Sequence, residues 1–283
     1  MGHLLLNLLK SLWQAINDLV EHDGLEHAGY LSFLLMLTIF PFLVFITALL
    51  GFFGSEQLGN LLVQLIVSSS WASFIDALKP RILEITSTPP QSLLTIAVLS
   101  ALWTASSIFE GIRTILNRAY RITTTPSYLL RRLISIAEFL ITISLTISLL
   151  VVLVVLPGIY DFLINLINVR QSTLLELLDP STEMIRVTIL ITFTCMLVAT
   201  LYNRLPNRNA KFRWALPGAI LVVIGWSIAS SIFKYYLGHF PQLNFIYGSI
   251  AGVIISLLYF YICSIIFILG AEFNYQVELR YKL

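Results

Sequence analysis

The chain has 283 residues, of which 58% are hydrophobic and only 11% charged, with a mean hydropathy of +0.88. A soluble globule of this length has too little interior to hide that much apolar surface, so a bilayer must act as solvent. The net charge of +2 is uninformative as a total, because orientation in a membrane follows from how Lys and Arg divide between the loops.

In chain order, residues 4–20 come first. Leu5, Leu8, Leu9, Leu12, Ile16, Leu19 and Val20 fall on one helical face, with Asn7, Lys10, Gln14 and Asn17 elsewhere. That pattern predicts an N-terminal interfacial helix. No basic segment precedes a short apolar core and no small-residue cleavage site follows, so the stretch does not read as a signal peptide.

A crossing needs about 20 mostly apolar residues, at 1.5 Å each across a hydrocarbon core of about 30 Å. Six stretches qualify, near 31–54, 92–109, 134–156, 185–202, 214–237 and 245–270. The expected fold is all-α, a polytopic membrane protein with six transmembrane helices. The connections are too short to fold alone, so residues 1–283 form a single membrane domain. Residues 58–85 and 157–184 repeat Leu and Ile at helical spacing between polar residues, which predicts amphipathic outer segments.

With the N-terminus inside, twelve cations face the cytoplasm: Lys10, Arg113, Arg118, Arg121, Arg131, Arg132, Arg204, Arg208, Lys211, Arg213, Arg280 and Lys282. Lys79, Arg81, Arg170, Arg186 and Lys234 fall outside. This excess predicts that both termini are cytoplasmic.

Charges in hydrocarbon are costly, so carboxylates at span ends are the first place to look for function. Glu110 ends the second span and precedes Arg113 by three residues, the spacing of a pair on one helix face. Glu138 lies one turn into the third span, and Glu272 follows the sixth beside Asn274. One reading is interfacial solvation and pairing. The sharper reading is a polar cytoplasmic vestibule or headgroup site formed by Glu110, Arg113, Asn117, Arg118, Glu272 and Asn274. The basic runs 113–132 and 204–213 follow from orientation alone, and they also suit anionic lipid headgroups.

Asn244 and Tyr247 place polar groups at an outer mouth, while Gly248 and Gly252 form a G-x-x-x-G pair suited to close helix packing. Pro41 and Pro217 interrupt the first and fifth spans and are read as packing kinks. Thr142, Ser144, Thr146 and Ser148 look like interhelical hydrogen-bonding groups.

Cys195 and Cys263 lie inside spans as small apolar side chains. His22 and His27 are five apart, not the i, i+4 spacing that shares a helix face, and no metal site or cofactor is read. The chain has no G-x-x-x-x-G-K-[ST], H-E-x-x-H or G-x-S-x-G, and no RNA-stacking motif. No catalytic constellation is present, and nucleic acid is not an expected partner.

Five segments together resemble the YihY/BrkB family of bacterial inner-membrane proteins, formerly labelled ribonuclease BN. They are AGYLSFLLMLTIFPFLVFITALLGFFG at 28–54, LWTASSIFEGIRTILNRAY at 102–120, YNRLPNRNAKFRWALPGA at 202–219, NFIYGSIAGVI at 244–254 and LGAEFNY at 269–275. The resemblance covers most of the chain and implies a six-helix inner-membrane protein. Its ribonuclease label is regarded as a misassignment, in keeping with the missing metal ligands and acid/base pair. Glu110 departs from the small or basic residue the family pattern leads one to expect. The combined expectation is transport or translocation of a lipid or other amphipathic envelope component, with membrane lipids as partners. A non-transporting envelope-integrity or scaffold protein is the alternative, and a membrane-bound ribonuclease comes last.

Overall fold

The computed structural model describes residues 2–52, 99–123, 127–167, 179–208, 210–239 and 251–282. These form seven α-helices: α1 (Gly2–Glu21), α2 (Gly24–Phe52), α3 (Ser107–Ala119), α4 (Tyr128–Ile167), α5 (Asp179–Arg204), α6 (Leu216–His239) and α7 (Ala251–Lys282). Residues 99–105 are also helical and enter α3 through a turn at Ser106. A 3-10 turn, Phe212–Trp214, leads into α6. The described residues contain no strand, and the protein is an all-α membrane protein.

Four windows are long and apolar enough to cross a bilayer: Tyr128–Leu149, Val187–Arg204, Phe212–Tyr236 and Gly252–Tyr281. They coincide with the third to sixth expected spans. Fewer than a quarter of the residues in each window are buried, so the remaining apolar surface has lipid as its natural solvent. The first expected span falls on α2, whose Gly24–Ile39 stretch is a shorter apolar helix. Residues 92–98 of the second span, residues 58–85, part of 157–184, and Asn244, Tyr247 and Gly248 lie outside the described residues.

Helix α7 is the hub, packing against α1, α2, α3 and α6, while α5 packs against α6. Its apolar side carries Phe267, whose ring lies 4.9 Å from Tyr202 of α5 and 6.5 Å from Trp226 of α6. The polar tips of both neighbours are satisfied on α7 itself. The Tyr202 hydroxyl donates to the Phe267 carbonyl at 2.5 Å, and Trp226 Nε1 donates to the Cys263 carbonyl at 2.9 Å. Buried aromatic groups with such handles fix register as well as burying area.

Close approach of α6 and α7 depends on two glycines. A Cβ on Gly218 would stand 2.1 Å from the Gly270 carbonyl oxygen, and one on Gly270 would meet Val222 at 2.5 Å and the Tyr202 hydroxyl at 2.6 Å. At Gly252, part of the expected G-x-x-x-G pair, a Cβ meets none of the described residues within 4 Å.

Both prolines act differently from simple interruptions. Pro41 lies inside α2, which continues through it. Pro217 is the second residue of α6, where a missing N–H costs no helical hydrogen bond, so it starts the helix instead of kinking it. Thr146 is likewise not interhelical, since its hydroxyl donates to the Thr142 carbonyl one turn back.

Helix α1 runs back along α7 in the opposite sense. Arg280 donates to the Asn7 carbonyl at 2.8 Å and to Gln14 at 2.6 Å, while Gln276 donates to Asp18 at 2.5 Å. Ala15 packs on Phe273 and Val277, with Leu8 and Leu12 alongside. The apolar residues of α1 therefore divide between two faces. Leu8, Leu12, Ala15 and Leu19 turn inward, whereas Leu6, Leu9, Trp13, Ile16 and Val20 form an exposed stripe at helical spacing.

Candidate functional site

Polar and charged side chains converge where the end of α3, the start of α4, the α1–α2 corner, the α5–α6 connection and the last turns of α7 meet. Helix α3 builds this cluster because it is amphipathic: Phe109, Ile115 and Leu116 are buried beside Arg113 and Asn117.

Glu110 and Arg113 do not form the i, i+3 pair that their spacing suggests. Arg113 turns to Glu138 of α4, donating through Nη2. Glu110 turns to the preceding turn of α4, accepting from Ser135 at 3.2 Å. Arg131 Nη2 is 2.8 Å from the other Glu110 oxygen, close enough to attract though not aligned as a hydrogen bond. Arg132 donates to the Trp103 carbonyl and to Ser107 at 3.1 Å, and its guanidinium sits 4.2 Å over the Trp103 ring. A buried charge gains more from a partner on a second helix, which it ties in place, than from a neighbour on its own exposed flank. These contacts advance together along both helices, from Ser107–Arg132 to Arg113–Glu138, so over this stretch α4 runs in the same sense as α3 and does not fold back along it.

The C-terminus of α3 is a Schellman motif. Ile122 N–H donates to the Asn117 carbonyl at 2.8 Å and Arg121 N–H to the Arg118 carbonyl at 3.0 Å. The left-handed position, normally glycine, is held by Arg121 with φ 56°. A side chain there costs about 1–2 kcal/mol, and its contacts show what offsets this. Arg121 donates to Glu272 at 2.5 Å and to Asp18 at 2.9 Å, and it lies 4.2 Å over the Tyr275 ring. His22 Nδ1 lies 3.5 Å from the second Glu272 oxygen. The Glu272 side chain is only 2% exposed, so this one guanidinium neutralises a buried carboxylate while joining α1, α3 and α7.

Asp18, His22 and Glu272 bring three potential metal-ligand atoms within 4.8 Å of one another. Arg121 already supplies positive charge to both carboxylates. The donor set is therefore better described as an arginine-centred ion-pair cluster.

The other anticipated residues have definite partners. Asn117 accepts from the Asn207 N–H at 3.0 Å. Arg118 pairs with Asp23 at 2.5 Å on the surface. Asn274, wholly buried, accepts from Gly218 N–H at 2.6 Å and donates to the Ala215 carbonyl at 3.1 Å. It thereby satisfies the first turn of α6, whose N–H groups have no intrahelical acceptor. Its amide also reaches the Tyr120 hydroxyl at 3.4 Å. Burial pushes that phenol up to about 12, so Tyr120 stays neutral. Asn244 and Tyr247 of the expected outer mouth fall outside the described residues.

A family model described as "Virulence factor BrkB" matches residues 15–282. The chain belongs to the BrkB family. A BrkB relative in Bacillus subtilis, named as ribonuclease-like protein YfkH, is 29% identical over 93% of each chain. A UPF0761 membrane protein of Chromohalobacter salexigens is 26% identical, covering 94% of this chain but 62% of its own greater length. Another, from Pseudoalteromonas atlantica, is 25% identical over 91% of this chain and 83% of its own. No solved structure matches.

Within this BrkB chain, sequence reasoning singled out Glu110, Arg113, Asn117, Arg118, Glu272 and Asn274; the fold sets the first two against α4 and the other four around the end of α3. Sequence reasoning did not single out Asp18 or Glu278, weighed His22 only as a metal ligand, and took Arg121 and Arg208 only as members of the basic runs. The one local signal for Arg121 is a large cation one residue past the helix cap, where glycine is usual. Arg208 and Glu278 are 70 residues apart, and nothing local announces their pairing at 2.5 Å.

Proposed function

We propose that this BrkB protein translocates a lipid or other amphipathic envelope component across the bacterial inner membrane, without itself hydrolysing ATP and without acting as an enzyme. Its α1 and the end of α7 face the cytoplasm, where membrane lipids and their anionic headgroups are its partners. The observation that carries this reading is the burial of Arg113 and Glu272 among apolar helices. Charged groups kept in such surroundings at a desolvation cost of several kcal/mol characteristically mark polar pathways. The Arg113–Glu138 and Arg121–Glu272 pairs are then closures that a headgroup exchanges with as it passes.

One observation favours the scaffold reading: all six anticipated residues of the polar cluster have protein partners. In that alternative the ion pairs lock the helices permanently and the protein contributes to envelope integrity without transport. A membrane-bound ribonuclease is the least supported reading. Its one support is the name of the Bacillus relative, and the chain carries no metal-ligand motif or acid/base pair suited to RNA cleavage.

Purified protein reconstituted with fluorescent phospholipid separates the first two. Wild-type protein should bring inner-leaflet lipid within reach of an external quencher, and Arg113→Lys should slow this at least fivefold. If neither lipid nor solute moves, and Arg113→Lys leaves the envelope phenotype of cells unchanged, the translocation reading falls.

A further inference from the structure

A second arginine in the α5–α6 connection is built differently from those in the α3–α4 cluster. Arg208 lies with its guanidinium 3.5 Å over the ring of the buried, neutral Tyr120. Its Nη1 is engaged, donating to Glu278 of α7 at 2.5 Å. Its backbone is held in a tight turn by a 2.7 Å bond from its N–H to the Pro206 carbonyl. Position and plane are therefore fixed from three sides.

The opposite edge is unused. Both Nε and Nη2 of Arg208 are buried and have no hydrogen-bond partner among the described residues. Leaving charged donors desolvated and unpaired is expensive, which makes such groups rare unless something completes them. These two N–H groups form the side-on fork of the guanidinium, two parallel donors spaced to match two oxygens of a phosphate or carboxylate. Stacking on Tyr120 and the bond to Glu278 preorganise the fork, lowering the entropy lost on binding.

The surroundings select for an anion. Residues 203–213 contain Arg204, Arg208, Lys211 and Arg213 and no carboxylate, and Glu278 is already engaged. Arg204, Lys211 and Arg213 are exposed, which raises the local concentration of anions around the fork. Phe212, also exposed, adds an apolar group among these cations, the combination found where a protein meets lipid headgroups.

We propose that the α5–α6 connection carries an oxyanion site in which the Nε–H and Nη2–H edge of Arg208 binds a phosphate group, either of an anionic phospholipid or of free phosphate. This site is separate from the Arg113 and Arg121 pairs and does not rest on the translocation reading, so either can fail alone.

The test uses the full chain in maltoside micelles, which contain no phosphate, with 15N-labelled arginine side chains. The Arg208 Nε–H resonance is assigned by its loss in Arg208→Lys and Arg208→Gln. Inorganic phosphate, short-chain phosphatidic acid and the matching diacylglycerol are titrated separately. A saturable shift of this resonance with phosphate and phosphatidic acid identifies a site for the phosphate group itself. A shift with phosphatidic acid alone identifies the lipid headgroup as the source. In both cases Arg208→Lys, which keeps charge but lacks the fork and its reporter resonance, should weaken binding at least tenfold when the same ligands are titrated by isothermal calorimetry against it and against wild type. The proposal is overturned if neither phosphate ligand gives a saturable shift, if diacylglycerol gives the same one, or if Arg208→Lys binds like wild type. Should one substitution prevent folding, judged by gel filtration, the other takes its place. The wild-type titrations decide by themselves whether either phosphate ligand is bound.

Discussion

Arg121 sits where two physical demands conflict. The end of α3 requires a left-handed residue, which glycine supplies without strain, whereas Glu272 requires a cation. Replacing Arg121 by glycine recovers about 1–2 kcal/mol of backbone strain. It also strands a buried carboxylate, which costs about 3–5 kcal/mol. The second effect wins, so Arg121→Gly should lower the thermal midpoint of the detergent-solubilised protein by several degrees, and Glu272→Gln in the same chain should restore part of the loss. A glycine variant as stable as wild type would remove Arg121 from its place at the centre of the cluster. The sequence placed Glu272 near a polar interface from its position alone. It could not pair Glu272 with a residue 151 positions away, because that proximity is created only by docking α3 on α7.

Among the elements, α7 shows how a long apolar segment acquires specific neighbours. Its glycines are not equivalent. Gly218→Ala on the facing helix would drive a methyl group into the Gly270 carbonyl, a backbone atom that cannot rotate aside. That change should part α6 from α7 and sharply reduce the yield of folded protein. Gly252→Ala, at a position open among the described residues, should leave yield unchanged or raise stability by up to about 1 kcal/mol through helix propensity. The two alanine variants, compared by fluorescence-detected gel filtration, would refute this assignment if they behaved alike. The G-x-x-x-G spacing in the sequence marked small residues at the start of the last span. Helix contact depends on which face meets a neighbour, and for Gly218 and Gly270 that was set by Asn274 and Tyr202. The same limit applied to α1, where periodicity announced an amphipathic helix but merged its docked and exposed stripes into one face.

At the scale of the molecule, the contact of α1 with the last turns of α7 puts Asn7, Gln14 and Arg280 side by side. Helix α1 and the last turns of α7 therefore sit together, and the proposal that both are at one bilayer face requires an even number of crossings between them. The twelve-to-five division of cations is what supports the proposed cytoplasmic placement of that side. With Cys195 and Cys263 replaced by serine, Lys10→Cys and Lys282→Cys should both be labelled by a membrane-impermeant maleimide only after the cytoplasmic face is opened. Labelling of either from the periplasmic side in intact cells would reverse the orientation.

The sequence by itself determined that this is an all-α membrane protein, and it located four of the long apolar helices, because length and hydropathy are properties of contiguous residues. The five ordered segments were also enough to identify the BrkB family. Only the tertiary structure decided that Arg113 pairs with Glu138 instead of Glu110, that Pro217 opens α6, that Arg121 holds Glu272, and that Arg208 stacks on Tyr120 and pairs with Glu278. Each of these depends on the relative placement of helices far apart in the chain. The energy of a buried charge is set by whichever group that placement brings within a few ångströms, and spacing along one helix does not reveal it.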